Sequence, residues 1–124
     1  MRHEFRLAKA QEALRAAQVA FDNGLWESSV SGAYYAAYHL AAAVLAEKAD
    51  VHRDRWDHMA LYNAFQSHFC RRSFHFNVQD GRDFLRLMED RFDADYHNVT
   101  FNQRRAERSL RKAEALCSKI LEVI

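Results

Sequence analysis

The chain has 124 residues, of which 49% are hydrophobic, and it contains no proline and only three glycines. This length predicts one domain, residues 1–124, with a core that needs neither disulfides nor a metal ion. The formal net charge of +1 provides no global field that would attract nucleic acid or a membrane surface, and no apolar run is long enough to cross a bilayer.

The first two predicted helices are separated by a single turn. Apolar residues at spacings of three and four predict a helix over about Glu4–Asp22, and Gly24 is expected to end it in a left-handed conformation. The second helix covers about Trp26–Lys48 and is apolar around most of its circumference from Tyr34 to Ala46, which is typical of a helix buried on several sides. We therefore expect it to be the central helix, or to face a partner subunit as well.

The second helix combines small residues with three tyrosines. The small side chains predict close approach of another helix, and the tyrosines carry hydroxyl groups into or beside that contact. The small residues are Ser28, Ser31, Gly32, Ala33, Ala36, Ala37 and Ala41, and the tyrosines are Tyr34, Tyr35 and Tyr38.

Two further helices are predicted after a polar loop at residues 49–56. The third helix covers about Asp57–Arg71, and a second loop follows at residues 72–80. The fourth helix covers about Asp80–Tyr96. The side chains expected to face inward are Met59, Tyr62, Phe65 and Phe69 in the third helix and Phe84, Leu87, Met88 and Phe92 in the fourth.

The fifth helix is predicted to run from near Phe101 to the C-terminus. Thr100 followed by Gln103 matches the capping box that marks helix starts. Because short links between long helices favour antiparallel neighbours, we predict an all-α fold, an up-down bundle of four main helices with one additional helix.

The compartment and the metal chemistry are predicted from the N-terminus, the cysteines and the histidines. The charged N-terminus is not typical of a signal peptide, and Cys70 and Cys117 lie far apart, so we expect free thiols and a cytoplasmic protein. There is no Cys-x-x-Cys, His-Glu-x-x-His or Glu-x-x-His motif, and the spacing of His68, Cys70 and His75 matches no standard ligand pattern. We predict no metal site and no cofactor.

Two interpretations are open for a basic flank on the fifth helix. It can be a solvated face whose arginines pair with Glu107 or Glu114, or it can contact an RNA backbone. The flank consists of Arg104, Arg108, Arg111 and Lys112, of which Arg104 and Arg108 are the candidate RNA-binding residues.

The best catalytic candidates are Arg91 and His97. Arginine stays charged and can hold a phosphate, while histidine can transfer protons near neutral pH. Together they could cleave RNA without metal, with the 2′-hydroxyl of the RNA as nucleophile. Six residues of ideal helix turn the two side chains about 240° apart, so they converge only if the helix ends before His97 or if the site forms across a dimer. The alternative is an Arg91–Asp95 ion pair that closes the helix, with Tyr96 packing beside it.

Four segments in chain order resemble the HEPN domain family, in particular its small stand-alone prokaryotic members. The resemblance covers about residues 5–120. The most specific segment is Ala33-Tyr34-Tyr35-Ala36 in the second helix. The others are Asn23-Gly24 before that helix, His58 with Phe65 and His68-Phe69 in the third, and Arg91 with Ala94-Asp95-Tyr96 in the fourth.

The resemblance implies a homodimer and, for many members, metal-independent ribonuclease activity. Arg91 and His97 fit the family's Arg-x(4–6)-His motif, and Asp95 and Tyr96 would orient them. The toxin subgroup usually has a tyrosine two positions after the histidine, where this chain has Val99. Such domains often act as toxins beside a nucleotidyltransferase antitoxin.

Two further hypotheses are open beside the ribonuclease. In the first, the domain is a non-catalytic module that binds a nucleotide or a nucleotidyltransferase, and Tyr34, Tyr35 and Tyr38 are then the more important polar groups. In the second, it is a dimerising bundle within a larger assembly.

Overall fold

The computed structural model describes residues 2–70, 75–96 and 100–124. Within these ranges the chain forms five α-helices and no β-strand, which confirms the predicted all-α fold. The helices are α1 Arg2–Asp22, α2 Trp26–Ala49, α3 His58–Phe65, α4 Val78–Tyr96 and α5 Gln103–Val123, and a π-helical turn, Gln66–Cys70, follows α3 directly.

The central element of the bundle is α2, as predicted. It packs against α1, α3, α4 and α5, and 12 of its 24 residues are buried. The buried residues lie around most of its circumference, as expected for a helix with neighbours on several sides. The four long helices form the bundle, and the short α3 is the additional helix.

The closest helix contact joins α1 to α2 through small residues. A side-chain carbon added to Gly32 would lie 3.1 Å from both the Ala13 carbonyl oxygen and the Ala17 Cβ. The buried hydroxyl of Ser29 donates a hydrogen bond of 2.9 Å to the Ala17 carbonyl. The predicted close approach is therefore confirmed, and so is the left-handed Gly24 between the helices, with φ of 74°.

The starts of α4 and α5 differ from the predictions. Asn77 caps α4 by accepting from the backbone N–H of Asp80 at 3.0 Å, and the Asp80 carboxylate accepts from the Asn77 N–H at 2.9 Å. The helix therefore begins at Val78 and not at residue 80.

The predicted Thr100 cap of α5 is wrong. The cap is Asn102, whose side chain accepts from the backbone N–H of Arg105 at 2.9 Å. The reason is tertiary, because Phe101 is buried against Val30 and Ala106. This contact between the residue before the cap and the first helical turn fixes where the chain enters the helix.

The inward faces of α3 and α4 also differ in part from the predictions. Met59 and Phe92 are 49% and 47% exposed, whereas Leu61 is buried. The buried residues of α4 repeat every three positions and include Asp90, so Phe92 points away from the core. Trp56, assigned to a polar loop, is only 6% exposed.

Candidate functional site

The site begins with a buried tyrosine on α2 and a histidine at the start of α3. Tyr34 is fully buried, and its ring lies 5.9 Å from the Phe84 ring in a stacked arrangement. Its hydroxyl oxygen is 2.7 Å from Nδ1 of His58. Asp57 caps α3 by accepting from the Ala60 N–H, so His58 occupies the first position of the helix.

The Tyr34–His58 contact fixes the tautomer of the histidine. Burial, followed by the neighbouring Tyr38 and Tyr35, raises the pKa of Tyr34 far above its usual value, so the hydroxyl keeps its proton. Among the described residues this hydroxyl has no other acceptor, and a buried donor without a partner is costly, so we assign Tyr34 as the donor to Nδ1. Neutral His58 then carries its proton on Nε2, which points away from Tyr34.

His58 favours the neutral form. Its pKa is lowered by burial first and by the positive charge of Arg91 second, while Asp57 acts in the opposite direction. A neutral imidazole with its proton on Nε2 can donate a hydrogen bond to an anion without adding charge to the site.

Arg91 is held between two aromatic rings. Its guanidinium carbon lies 5.4 Å from the ring centre of Tyr35 on α2 and 5.4 Å from that of Tyr96 on the same helix. Its Nε lies 2.9 Å from a carboxylate oxygen of Asp95, so the Arg91–Asp95 ion pair anticipated from the spacing is present. This Nε is buried and makes no hydrogen bond, so the contact is ionic with unfavourable N–H direction.

A pocket of about 450 Å³ lies beside these groups, between α3, α4 and α5. His58 and Arg91 contribute polar atoms to its wall, and Met59, Met88 and Phe92 contribute apolar surface. Glu89, Asp90 and Asp93 also line the pocket, and Arg105 pairs with the two aspartates. The donors of His58 and Arg91 beside apolar surface suit a ligand that carries both a negative charge and a planar or apolar part, such as a nucleotide.

Comparison with known proteins gives the family of the chain. The sequence matches the HEPN domain family over residues 3–123. The chain belongs to the HEPN family. A protein of Methanocaldococcus jannaschii, named "Putative toxin MJ0605", is 28% identical over 115 residues, which cover 93% of this chain and 83% of that protein.

A buried ion-pair network next to the HEPN pocket was not foreseen from the sequence. Asp90 is 3% exposed and accepts hydrogen bonds from Ser109 at 2.7 Å and from Arg105 at 2.9 Å. The same Arg105 nitrogen donates to Asp93 at 2.9 Å, and the guanidinium lies over the Phe101 ring at 4.2 Å. The network ties α5 to the turn of α4 that carries Arg91. One signal was available, since Asp90 continues the three-residue spacing of the buried positions of α4.

The HEPN fold brings most of the predicted site residues together. Tyr34, Tyr35, Asp95 and Tyr96 all lie around Arg91 or its immediate neighbours. His97 lies outside the described residues.

Tyr38 has a different role from the other two tyrosines of α2. Its hydroxyl donates to the Trp56 carbonyl at 2.9 Å and accepts from the Trp56 N–H at 3.3 Å. It thereby holds the loop that leads into α3, and with it the position of His58.

The two candidate RNA-binding arginines lie outside this pocket. Arg104 and Arg108 line a neighbouring groove between α4 and α5. Neither pairs with a carboxylate of the described residues, and it is Arg111 that pairs with Glu114. This leaves both guanidinium groups of the groove open to a ligand.

The described part of the HEPN domain shows few other reactive groups. Cys70 and Cys117 are free and buried, and burial raises the pKa of each thiol to about 12. The described residues contain no group of three or more His, Cys, Asp and Glu side chains suited to a metal ion. None of the described helices is long and apolar enough to cross a membrane.

Proposed function

We propose that this HEPN protein is a metal-independent endoribonuclease of toxin type that acts with a nucleotidyltransferase antitoxin. The observation that carries the proposal is the juxtaposition of the clamped Arg91 guanidinium and neutral His58 at one pocket. The name of the Methanocaldococcus jannaschii relative supports the toxin role.

In the proposed reaction the 2′-oxygen of a ribose attacks the adjacent phosphorus, and the bond from phosphorus to the 5′-oxygen breaks. The products are a 2′,3′-cyclic phosphate and a 5′-hydroxyl end. One proton leaves the 2′-hydroxyl and one is delivered to the 5′-oxygen, and His97 is the proposed acid and base for these transfers.

Arg91 would stabilise the charge that builds up on the phosphate oxygens. Its Nε faces Asp95, while among the described residues neither terminal nitrogen makes a hydrogen bond. The terminal nitrogens are therefore available for bidentate contact with phosphate. His58 would donate a further hydrogen bond from Nε2 to the same oxygens.

The proposal includes a homodimer. Met59, Phe92 and Tyr96 leave 49%, 47% and 64% of their surface exposed around the pocket, and a second copy would cover this apolar surface. On one ideal helix the positions of Arg91 and His97 are about 240° apart and do not meet. In a dimer, His97 of one copy would instead act beside Arg91 of the other. Sedimentation at micromolar concentration tests this, and a monomer would contradict the cross-dimer site.

The decisive experiment compares wild type, Arg91→Lys and His97→Ala on an RNA substrate in buffer with EDTA. Removal of a charge-stabilising donor typically lowers turnover by about 10²–10³-fold, and lysine retains the charge but not the planar fork. Arg15→Lys, on the exposed surface of α1, is the matched control and should cleave like wild type. Equal cleavage by wild type and His97→Ala would remove His97 from the mechanism.

The partner is tested separately. A nucleotidyltransferase reading frame beside that of the HEPN protein, and co-elution of the two products after co-expression, would support the antitoxin assignment. Separate elution at micromolar concentration would contradict it.

A second candidate function is a non-catalytic module that binds a nucleotide or a partner protein. The Arg91–Asp95 pair favours it, because the carboxylate already neutralises much of the guanidinium charge. Nucleotide binding that requires Arg91, without any RNA cleavage by wild type, would select this alternative.

A further inference from the structure

A groove between α4 and α5 carries a strong excess of positive charge. Six lysines and arginines line it, against three carboxylates. The cations are Arg82, Arg86, Arg104, Arg108, Arg111 and Lys112.

The carboxylates of the groove are largely neutralised by neighbours. Asp90 is buried under Arg105 and Ser109, and Asp83 lies 3.7 Å from the Lys112 ammonium group. Glu107 is the third carboxylate and lies on α5 among the arginines. Lys112 and Arg86 are partners of Asp83 and Asp90, and Arg111 pairs with Glu114. The positive charge that remains is carried by Arg82, Arg104 and Arg108, so this surface favours an anion although the domain as a whole carries only +1.

The groove adjoins the pocket of Arg91. Arg86 and Asp90 line both the pocket and the nearer part of the groove. Asp83, Arg108 and Lys112 line both this part and the wider part, which has a volume of about 790 Å³. The shared lining residues place Arg91 and the cations of the groove along one side of α4 and α5, where a chain-like ligand could contact both.

The cations follow the helix axes at regular intervals. Arg82 and Arg86 are four residues apart on α4, and so are Arg104 and Arg108 on α5, which places successive charges about 6 Å apart along each helix. Among the described residues Arg82, Arg104 and Arg108 form no ion pair, so they need not be released from a partner before they bind.

We propose that this groove binds the phosphodiester backbone of an RNA strand, so that the substrate is a strand with several phosphates beyond the scissile one and not a dinucleotide. The proposal rests on the proposed function for the identity of the strand. Phosphate contacts of this kind position a strand without reading its bases, so the groove would contribute affinity and little sequence preference.

The test measures binding of a 2′-O-methyl RNA 12-mer by fluorescence anisotropy between 50 and 200 mM salt. This strand lacks the attacking hydroxyl and stays intact. The variants are Arg82→Gln, Arg108→Gln and their combination, and Arg15→Gln is the matched control on α1. Each lost phosphate contact should reduce the slope of log affinity against log salt by about 0.7, and the double variant should bind several-fold more weakly than either single variant.

A second measurement separates this proposal from the catalytic one. On cleavable RNA the double variant should raise KM for a 12-mer, whereas Arg91→Lys should lower kcat. If wild type binds the 12-mer with the expected salt dependence but cleaves nothing, the groove stands and the ribonuclease proposal fails.

Two outcomes would overturn the groove proposal. One is equal binding and equal salt slope for wild type and the double variant. The other is unchanged RNA binding together with weakened binding of a protein partner, which would make the groove a protein interface.

Discussion

Replacing the buried Asp90 with asparagine should destabilise the domain far more than the same change at Asp93. Both carboxylates accept from the same nitrogen of Arg105, at 2.9 Å each, and both lie on α4. They differ in burial, since the side chain of Asp90 is 5% exposed and that of Asp93 is 30% exposed. The pair of variants therefore compares a buried and a partly exposed member of one ion-pair network, of which the buried one also accepts from Ser109.

The expected magnitude follows from this difference. Asp90→Asn leaves Arg105 and Ser109 with a neutral partner inside the core, which costs about 3 kcal/mol. With an unfolding entropy of about 2.1 cal/mol/K per residue, the 124 residues give about 260 cal/mol/K, so Tm should fall by about 12 °C. Asp93→Asn breaks a solvent-screened pair worth up to about 1 kcal/mol, or about 4 °C.

Thermal unfolding followed by far-UV circular dichroism at pH 7 and 150 mM salt measures both shifts. Urea unfolding at 25 °C gives the free energies independently of the thermal extrapolation. Equal shifts for the two variants, or a larger shift for Asp93→Asn, would refute the view that Asp90 is the buried anchor between α4 and α5.

Three further changes have defined outcomes. Tyr34→Phe should lower Tm by about 4 °C through the loss of one hydrogen bond of about 1 kcal/mol. The pKa of His58 should also rise in an NMR titration, because Nδ1 loses the donor that favours the neutral ring. An unchanged pKa of His58 would contradict the assigned tautomer. Burial, followed by the charges of Arg6 and Lys9, lowers the pKa of His39 to about 4. The unfolded state therefore binds more protons than the folded state between about pH 4 and 6.5, and stability falls on acidification through this range. His39→Gln should flatten this pH dependence in urea unfolding from pH 4.5 to 7, and an unaltered pH dependence would exclude His39 as its source. Gly32→Ala should destabilise by roughly 1–3 kcal/mol because the new carbon meets the Ala13 backbone at 3.1 Å. Gly81→Ala meets side-chain atoms of Cys70 and Gln66 at 3.4 Å or more and should stabilise by up to about 1 kcal/mol. A gain in stability at both positions would mean that α1 shifts to make room beside Gly32.

The fold was predictable because local patterns and packing agree along α2. Its Ala-Tyr-Tyr-Ala segment and its small residues indicate a buried helix in close contact, and Gly32 shows that contact directly. Helix ends were less predictable where two caps compete. Thr100 and Asn102 are both good cap residues, and burial of Phe101 against Val30, a contact across 71 positions, decides between them.

The candidate site was predictable only in part, for the same reason. Arg91 and Asp95 share one helix face, so their pairing follows from spacing alone. His58 reaches the site through a hydrogen bond to Tyr34, 24 residues earlier, and no local pattern encodes that distance. Its position directly after the Asp57 cap indicates a helix start and says nothing of what the imidazole faces.

The tight contact between α1 and α2 has a consequence for the order in which the molecule assembles. Ser29 and Ala17, which join these helices, are 12 residues apart, whereas Tyr35 and Arg91 are separated by most of α2, α3 and α4. Closing a short loop costs less entropy than closing a long one, so the helical hairpin α1–α2 should form first and the site should be completed only when α4 docks. In pulsed hydrogen exchange during refolding, the amides of α2 should accordingly become protected before those around Arg91. During synthesis, the chain would have α1 and α2 folded before the pocket beside Arg91 had formed.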